Sequence, residues 1–474
     1  MLGCYLMLGR RSSPNAQKHK RIAVIGAGPA GLVTAKTLIA AGAEVVVYEK
    51  GSAVGGTWLG ADHNDRNFIY QNLHINTSKR LTAFEGLPFP PDTQVVPDHR
   101  DMARYMQAYA ERFNLIGKIK FGNAVVELVP NAADQEVGWT VKASGGSAEK
   151  FDVAVVCTGP FNRPYHSPDM AEFKGEYVHS ANYRVPDPYA GKRVCIVGAG
   201  NSAADIASDI CRIAAKVVMV ARSPVFVTPH LVWGLSFNDV SRALQKPFIP
   251  SKLRRAIIRG LVRIIHGKMT DCGFRPMTHK VHATISSTIV QDILFNRVQV
   301  KRGIEAINGT NITFEDGQSG QFDVLVAATG FVTEFPFLST KIVPTDDGRL
   351  RLYNRIVPPG TRGLYFVGMI NIDTPINFAC EQQAKWIAGI ELGECILPNP
   401  EEMGASIERK DRWVREQYGS ANRHSLQEES VIYYRELKKT LRQALKRGGR
   451  RRGFEARLTG LGQSRGTRRV HIAA

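Results

Sequence analysis

With 474 residues, 43% of them hydrophobic and 22% charged, the chain has material for two or three domains with proper cores, and no apolar run approaches the ~18 residues of a transmembrane helix. The net charge of +19 resembles a nucleic-acid signal until it is located: residues 1–21 carry +5 and residues 435–474 carry +11, leaving +3 for the body. Seven scattered cysteines, at 4, 157, 195, 211, 272, 380 and 395, include no Cys-x-x-Cys pair, which argues for a reducing, cytoplasmic setting and against a disulfide framework or a metal site.

The opening stretch, Met1 to Met7 followed by Arg10-Arg11, is too short for a signal-peptide core, so residues 1–20 read as a disordered extension. Arg21-Ile22-Ala23-Val24-Ile25 suits a buried parallel strand. It runs into Gly26-Ala27-Gly28-Pro29-Ala30-Gly31, then a helical stretch from Leu32 to Ala41 stopped by Gly42, then a second strand, Glu44 to Glu49. This is a dinucleotide-binding fingerprint in its proper βαβ setting. Gly26 permits the tight turn, Gly28 lets the backbone approach a pyrophosphate, and Gly31 lets helix and strand pack closely. The anion sits at a helix N-terminus, where free N–H groups and the helix dipole favour it. Glu49 falls where a carboxylate accepts from a ribose hydroxyl and would repel a 2′-phosphate, so this site suits FAD or NAD(H).

Next come Gly55-Gly56-Thr57-Trp58, the block Leu73 to Lys79 with Asn76 inside it, and Leu87-Pro88-Phe89-Pro90. Residues 100–113 read as a helix with Met102, Tyr105, Met106 and Tyr109 on one face, and strand-like stretches follow around 119–129 and 137–142. Phe151 to Val156 ends in Cys157-Thr158-Gly159, a strand-to-loop transition. A second βαβ unit begins at Arg193 to Val197 and continues through Gly198-Ala199-Gly200-Asn201-Ser202-Ala203 into a helix to Ile213 and a strand from Lys216 to Ala221. Ala203 replaces the third glycine, a permitted variant. Arg222 stands where the first unit has Glu49, and a guanidinium fork matches a phosphate, so this second site is assigned to NADPH. Leu253 to Gly267 sets Ile257, Leu261, Ile264 and Ile265 against Arg254, Arg255, Arg259 and Arg263. It reads as a helix covering the second unit or a subunit interface, with weak peripheral membrane contact as the alternative. The Gly/Arg-rich end, residues 446–474, reads as a basic disordered tail.

The most discriminating segment is Phe173-Lys174-Gly175-Glu176-Tyr177-Val178-His179-Ser180-Ala181-Asn182-Tyr183. Phe173, Gly175, His179 and Tyr183 match F-x-G-x-x-x-H-x-x-x-Y, the identifying motif of the flavin-containing monooxygenases, and the chain resembles that family from about residue 21 to 445. Supporting matches are Gly55 to Trp58, Asn76 to Lys79, Ala328-Thr329-Gly330-Phe331, Phe335-Pro336-Phe337, Glu381 to Trp386 and Leu397-Pro398. The resemblance implies an α/β fold with two Rossmann-like dinucleotide-binding domains. An FAD domain is built from residues 21–165 and 325–445, with an NADPH domain, 166–324, inserted between them. The cofactor contacts are expected at Gly26, Gly28, Gly31, Glu49, Gly56, Trp58 and Asn76, at Gly198, Gly200, Ser202, Ala203 and Arg222, and at Thr329 and Gly330.

The resemblance also implies the chemistry. NADPH reduces FAD, the reduced flavin reacts with O₂ at C4a, and the hydroperoxide is kept from water while NADP⁺ stays bound. A soft nucleophile, an amine nitrogen or a sulfide sulfur, then takes the distal oxygen. Asn76 is the candidate for positioning the peroxyflavin, because an amide both donates and accepts. Lys79 is either a partner of flavin or nicotinamide groups or a surface lysine. His179 and Tyr183, four apart, would share one face if their segment were helical, and a structural role at the domain junction is expected of them.

Three rivals remain open. A Baeyer–Villiger monooxygenase uses the same cofactors, but its motif typically ends in Trp followed by Pro, where this chain has Tyr183 and Arg184. A flavin disulfide reductase needs a close cysteine pair, and none lies between Cys4 and Cys157. A non-enzymatic RNA- or membrane-binding protein would use the basic ends. The partners expected are a small-molecule substrate and O₂, with no nucleic acid; self-association is left open.

Overall fold

The computed structural model describes residues 19–60, 68–131, 138–245, 249–346, 349–391, 395–419 and 425–447. Nearly all of the expected N-terminal extension and basic tail therefore lies outside the described residues.

Continuous apolar runs build two five-stranded parallel sheets. In the first, the strands stand in the order Leu364–Phe366, Val153–Val156, Arg21–Ile25, Glu44–Tyr48, Ile119–Lys120. The helix Pro29–Ala40 makes the crossover between Arg21–Ile25 and Glu44–Tyr48. It starts three residues before the expected Leu32, because Pro29 occupies the first turn with a pre-set φ and Gly28 is its cap. The long helix Ile376–Glu391, which carries the Glu381 to Trp386 block, packs along it.

The second sheet repeats the pattern in the order Val298–Lys301, Lys216–Val220, Arg193–Val197, Val324–Ala327, Glu176–His179. Its crossover helix is Asn201–Ile210. The strand Val324–Ala327 straddles the expected boundary at 325 and pairs wholly within this second sheet. Residues 119–129 are not one strand. Ile119–Lys120 closes the edge of the first sheet, Gly122 turns the chain, and Val125–Pro130 joins an antiparallel sheet with Trp139–Ala143 and Ala148–Phe151.

The chain leaves the first unit and returns to it through adjacent passes, since Arg163–Pro164 pairs antiparallel with Phe331–Val332. The ribbon is pinned by Asn162, whose Nδ2 donates to the Glu334 carbonyl at 2.7 Å while its Oδ1 accepts the Glu334 N–H at 2.8 Å. The Thr333 hydroxyl adds a bond to the Pro160 carbonyl at 2.6 Å. The basic helix spans Ser251–His266 and packs Ile258, Leu261 and Val262 near Val232 and Phe237, while Leu253, Ile257 and Ile264 stay exposed. Among the described residues, no helix is long and apolar enough to cross a membrane.

Candidate functional site

Both fingerprint loops lie at the carboxyl end of their sheet's central strand, where the strand order reverses and the crevice of such a sheet opens. Gly26 has φ +107°, and a Cβ there would come 2.8 Å from the Cys157 carbonyl oxygen. Gly198 has φ +130° and would meet the Ala328 carbonyl oxygen at 2.3 Å. Each loop therefore abuts the end of the neighbouring strand so closely that only glycine fits. Gly31 sits inside the helix, and a Cβ on it would fall 1.8 Å from the Gly26 carbonyl oxygen.

The residues present fit an anionic dinucleotide at each loop. Helices Pro29–Ala40 and Asn201–Ile210 are capped by Gly28 and Gly200 with no side-chain cap and no acid in the first turn, so their leading N–H groups are left for an anion. A Cβ at Gly200 would meet no protein atom within 4 Å, which leaves that approach open. Gly28 instead faces Gly56: a Cβ on Gly56 would lie 2.9 Å from the Gly28 Cα. The Gly55-Gly56 turn thus backs the first loop, and Trp58, in the short helix Gly56–Trp58, is half-buried against the core. The Thr158 hydroxyl is buried without a partner beside the same loop.

Glu49 and Arg222 occupy equivalent places and behave differently. Glu49 is buried, and its two oxygens accept the Ala27 N–H at 2.6 Å and the Gly51 N–H at 2.8 Å. It braces the fingerprint from within. Arg222 is exposed, and its guanidinium has no partner among the described residues. Ser202 is half-buried in the first turn of its helix and Ala203 is fully buried beneath it. Asn201 holds a further strand in place, its Oδ1 accepting the Ile285 N–H at 2.8 Å, and the Thr284 hydroxyl donates to the Ala199 carbonyl at 2.8 Å.

Asn76 lies between the two units. Its backbone carbonyl accepts Asn238 Nδ2 from the second unit at 2.5 Å, while the neighbouring Ile75 N–H bonds to Pro97 of the first. Its half-buried side chain makes no hydrogen bond to a described residue, so the amide is available to a ligand. The sequence leaves two readings open for Lys79, and the structure gives its ammonium protein partners. Its ammonium donates to the carbonyls of Pro91 at 2.8 Å and Thr93 at 2.5 Å, tying down the 90–93 loop. The Thr329 hydroxyl is likewise taken, donating to the Tyr165 carbonyl, and the Gly330 carbonyl accepts the Tyr165 N–H at 2.9 Å. Thr329 and Gly330 thereby help to build the ribbon between the units.

The motif from Phe173 to Tyr183 is not a helix, so His179 and Tyr183 do not share a helical face. Glu176–His179 is the edge strand of the second sheet, followed by one turn of 3₁₀ helix at Ser180–Asn182. Phe173 is buried, and Gly175 lies so close to its ring and to the Asp323 carbonyl oxygen, 2.8 Å from a would-be Cβ, that no side chain fits. His179 is buried at the strand's end against Phe331, with ring centroids 5.6 Å apart, and its Nδ1 accepts the Ala181 N–H. Burial, with the nearby His166 charge, pushes its imidazole down to about 4, so it is neutral in neutral solution. Tyr183 is wholly buried, and its hydroxyl donates to Asp209.

Several residues around this site carried no recognisable signal. Tyr70 belongs by chain order to the first unit but is buried in the core of the second, its hydroxyl 2.6 Å from Asp205. Asn72 donates to Asp209 at 2.7 Å. Asp205 and Asp209 are four apart on the fingerprint helix without a basic residue between them, and that like-charged pair is the clue the sequence held. Lys280 pairs with Glu429 at 2.6 Å, a second bridge between the units.

Among the described residues, the six cysteines are all free and buried, Cys157 beside the first loop included. Burial pushes the Cys157 thiol up to about 12 and so withholds a thiolate from this site.

A model of the flavin-binding monooxygenase-like family matches residues 19–444. The chain is 28% identical over 441 residues to dimethylaniline monooxygenase (N-oxide-forming) 2 of Rattus norvegicus, covering 88% of this chain and 82% of that protein. The solved S-allyl-L-cysteine S-oxygenase of Allium sativum superposes with a TM-score of 0.67 at 25% identity, over 94% of this chain and 92% of that one. Cyclohexanone monooxygenase shares the fold, with a TM-score of 0.62 at 17% identity over 90% of this chain and 99% of that one. With two dinucleotide crevices and an unpaired amide between them, the chain belongs to the flavin-binding monooxygenase-like family, a flavin-dependent monooxygenase whose cofactors are FAD and NADPH.

Proposed function

We propose that this monooxygenase transfers oxygen to a soft nucleophile, the nitrogen of an amine or the sulfur of a thioether, on a small organic molecule. FAD takes the first loop, over Glu49, and NADPH the second, with its 2′-phosphate on Arg222. The observation that carries the reading is Asn76: an amide with no partner among the described residues, in a segment held at the junction by bonds to both units. Bound flavin supplies the hydride acceptance and oxygen activation, and the protein supplies placement and electrostatics. Glu49 fixes the loop that receives the pyrophosphate. Asn76 offers both a donor and an acceptor to an oxygen-bearing group. Neutral His179, whose Nδ1 accepts the Ala181 N–H so that its one proton sits on Nε2, serves by packing the edge strand against Phe331.

The names of the relatives support this choice, one an N-oxide-forming monooxygenase and another an S-oxygenase. Tyr183 with Arg184, in place of the Trp and Pro typical of Baeyer–Villiger enzymes, supports it too. The test is a product panel with NADPH and O₂, offering N,N-dimethylaniline, an alkyl aryl thioether and a cyclic ketone. N-oxide or sulfoxide is expected. A lactone as the main product would make the chain a Baeyer–Villiger enzyme, and a colourless protein that cannot be loaded with FAD would overturn the proposal.

A further inference from the structure

The fingerprint helix Asn201–Ile210 has work at both ends. Its uncapped N-terminus would receive the second dinucleotide, and one and two turns further on Asp205 and Asp209 bond to the segment 70–72 of the other unit. Tyr70 donates to Asp205 at 2.6 Å, and Asn72 donates to Asp209 at 2.7 Å. Tyr183 completes the set by donating to the second Asp209 oxygen, and the Tyr70 and Tyr183 rings meet edge to face at 5.9 Å. The main chain joins in: the Gln71 N–H bonds to the Arg184 carbonyl at 2.9 Å. All three side-chain donors come from outside the helix. Two of them precede Asn76 by only a few residues.

A helix gains nothing for itself from two carboxylates one turn apart, since like charges at that spacing repel. Withdrawing Asp205 from water adds a desolvation cost, which the Tyr70 hydroxyl offsets. The arrangement makes sense as a clamp. Downstream of it, the Leu73 carbonyl accepts the His99 N–H and the Ile75 N–H bonds to Pro97, both in the first unit. The segment from Tyr70 to Asn76 therefore spans from the fingerprint helix to the first core.

We propose that Asp205 and Asp209 are positioning residues, clamping the 70–72 segment to the fingerprint helix so that Asn76 is held in register with the dinucleotide at that helix's N-terminus. Tyr183 of the family motif acts through this clamp. The proposal rests on the assignment of Asn76 to the oxygenation site.

Full-length Tyr70→Phe and Asp205→Leu test it against Asp205→Asn, which keeps an acceptor for the Tyr70 hydroxyl. Four quantities are read: the share of oxidised NADPH that appears as hydrogen peroxide, amide hydrogen exchange across residues 68–76, FAD content and the rate of flavin reduction by NADPH. In Tyr70→Phe and Asp205→Leu the peroxide share should rise at least threefold and exchange at 73–76 should speed about tenfold. FAD content and the rate of flavin reduction by NADPH should stay within twofold, and Asp205→Asn should behave as the parent. Unchanged peroxide share and exchange in the two disruptive variants would overturn the clamp. So would loss of FAD or of flavin reduction in proportion, because that pattern reports a merely structural role. If the parent forms no oxygenated product on the substrate panel, the functional reading has failed instead; exchange at 73–76 still decides the clamp.

Discussion

Arg222 and Glu49 occupy the same position in two copies of one βαβ unit, yet the structure uses them in opposite ways. Glu49 is sunk below its loop and holds two backbone N–H groups, so its carboxylate is a structural brace before it is a ligand contact. Arg222 stands exposed with its fork unengaged by any described residue, as a group does whose partner is a ligand phosphate. Replacing it should therefore cost binding and spare the fold. Arg222→Ala is expected to weaken the preference for NADPH over NADH by about 1–3 kcal/mol, the range for hydrogen bonds to a charged group. Steady-state kinetics with the two coenzymes measure it, and an unaltered ratio of their kcat/KM values would reject the assignment.

Element by element, what could be read beforehand was whatever lies within a few residues of itself. Both crossover units were legible because strand, glycine loop, helix and strand follow one another without a break. The long helix Ile376–Glu391 could be placed only as a resemblance. Its role as the second layer on Pro29–Ala40 depends on contacts across hundreds of residues. The same reason hid the clamp: Tyr70 looks like any aromatic on a loop, and nothing local says that it enters the other unit's core. The edge strand Glu176–His179 was missed because four residues with mixed exposure give no periodic pattern. Helix Ile376–Glu391 also carries a pH-sensitive group. Glu381 is buried, accepts the Glu85 N–H at 2.9 Å, and burial raises its carboxyl from 4.5 to about 7. A carboxyl raised in the folded state contributes stability that is present below its unfolded value near 4.5 and is lost as pH rises through about 7. Glu381→Gln keeps an acceptor and removes the titration. Its Tm should exceed the parent's at pH 8 and match it near pH 5. Equal melting curves at both pH values would show that Glu381 does not titrate as described.

At the scale of the whole molecule, the two parallel sheets share one strand-order pattern, and each puts its crevice where the order reverses. A glycine turn and a partnerless Thr158 hydroxyl lie beside the first loop, an arrangement that fits a bound cofactor. Removing FAD should accordingly lower Tm, and adding it back at a hundred times its dissociation constant should restore about 2.7 kcal/mol. Differential scanning fluorimetry of stripped and reloaded protein follows the change; a Tm indifferent to FAD would place the flavin elsewhere. The ribbon of Arg163–Pro164 and Phe331–Val332 has a wider meaning. Because the chain departs and comes back at neighbouring points, everything between them is a cassette whose two ends already touch. A replacement cassette needs matching ends and, beyond them, a seat for Tyr70 and acceptors for the Tyr70 and Asn72 donors. Coenzyme choice in this architecture can then change by transplanting one block, with the oxygen chemistry of the host left in place.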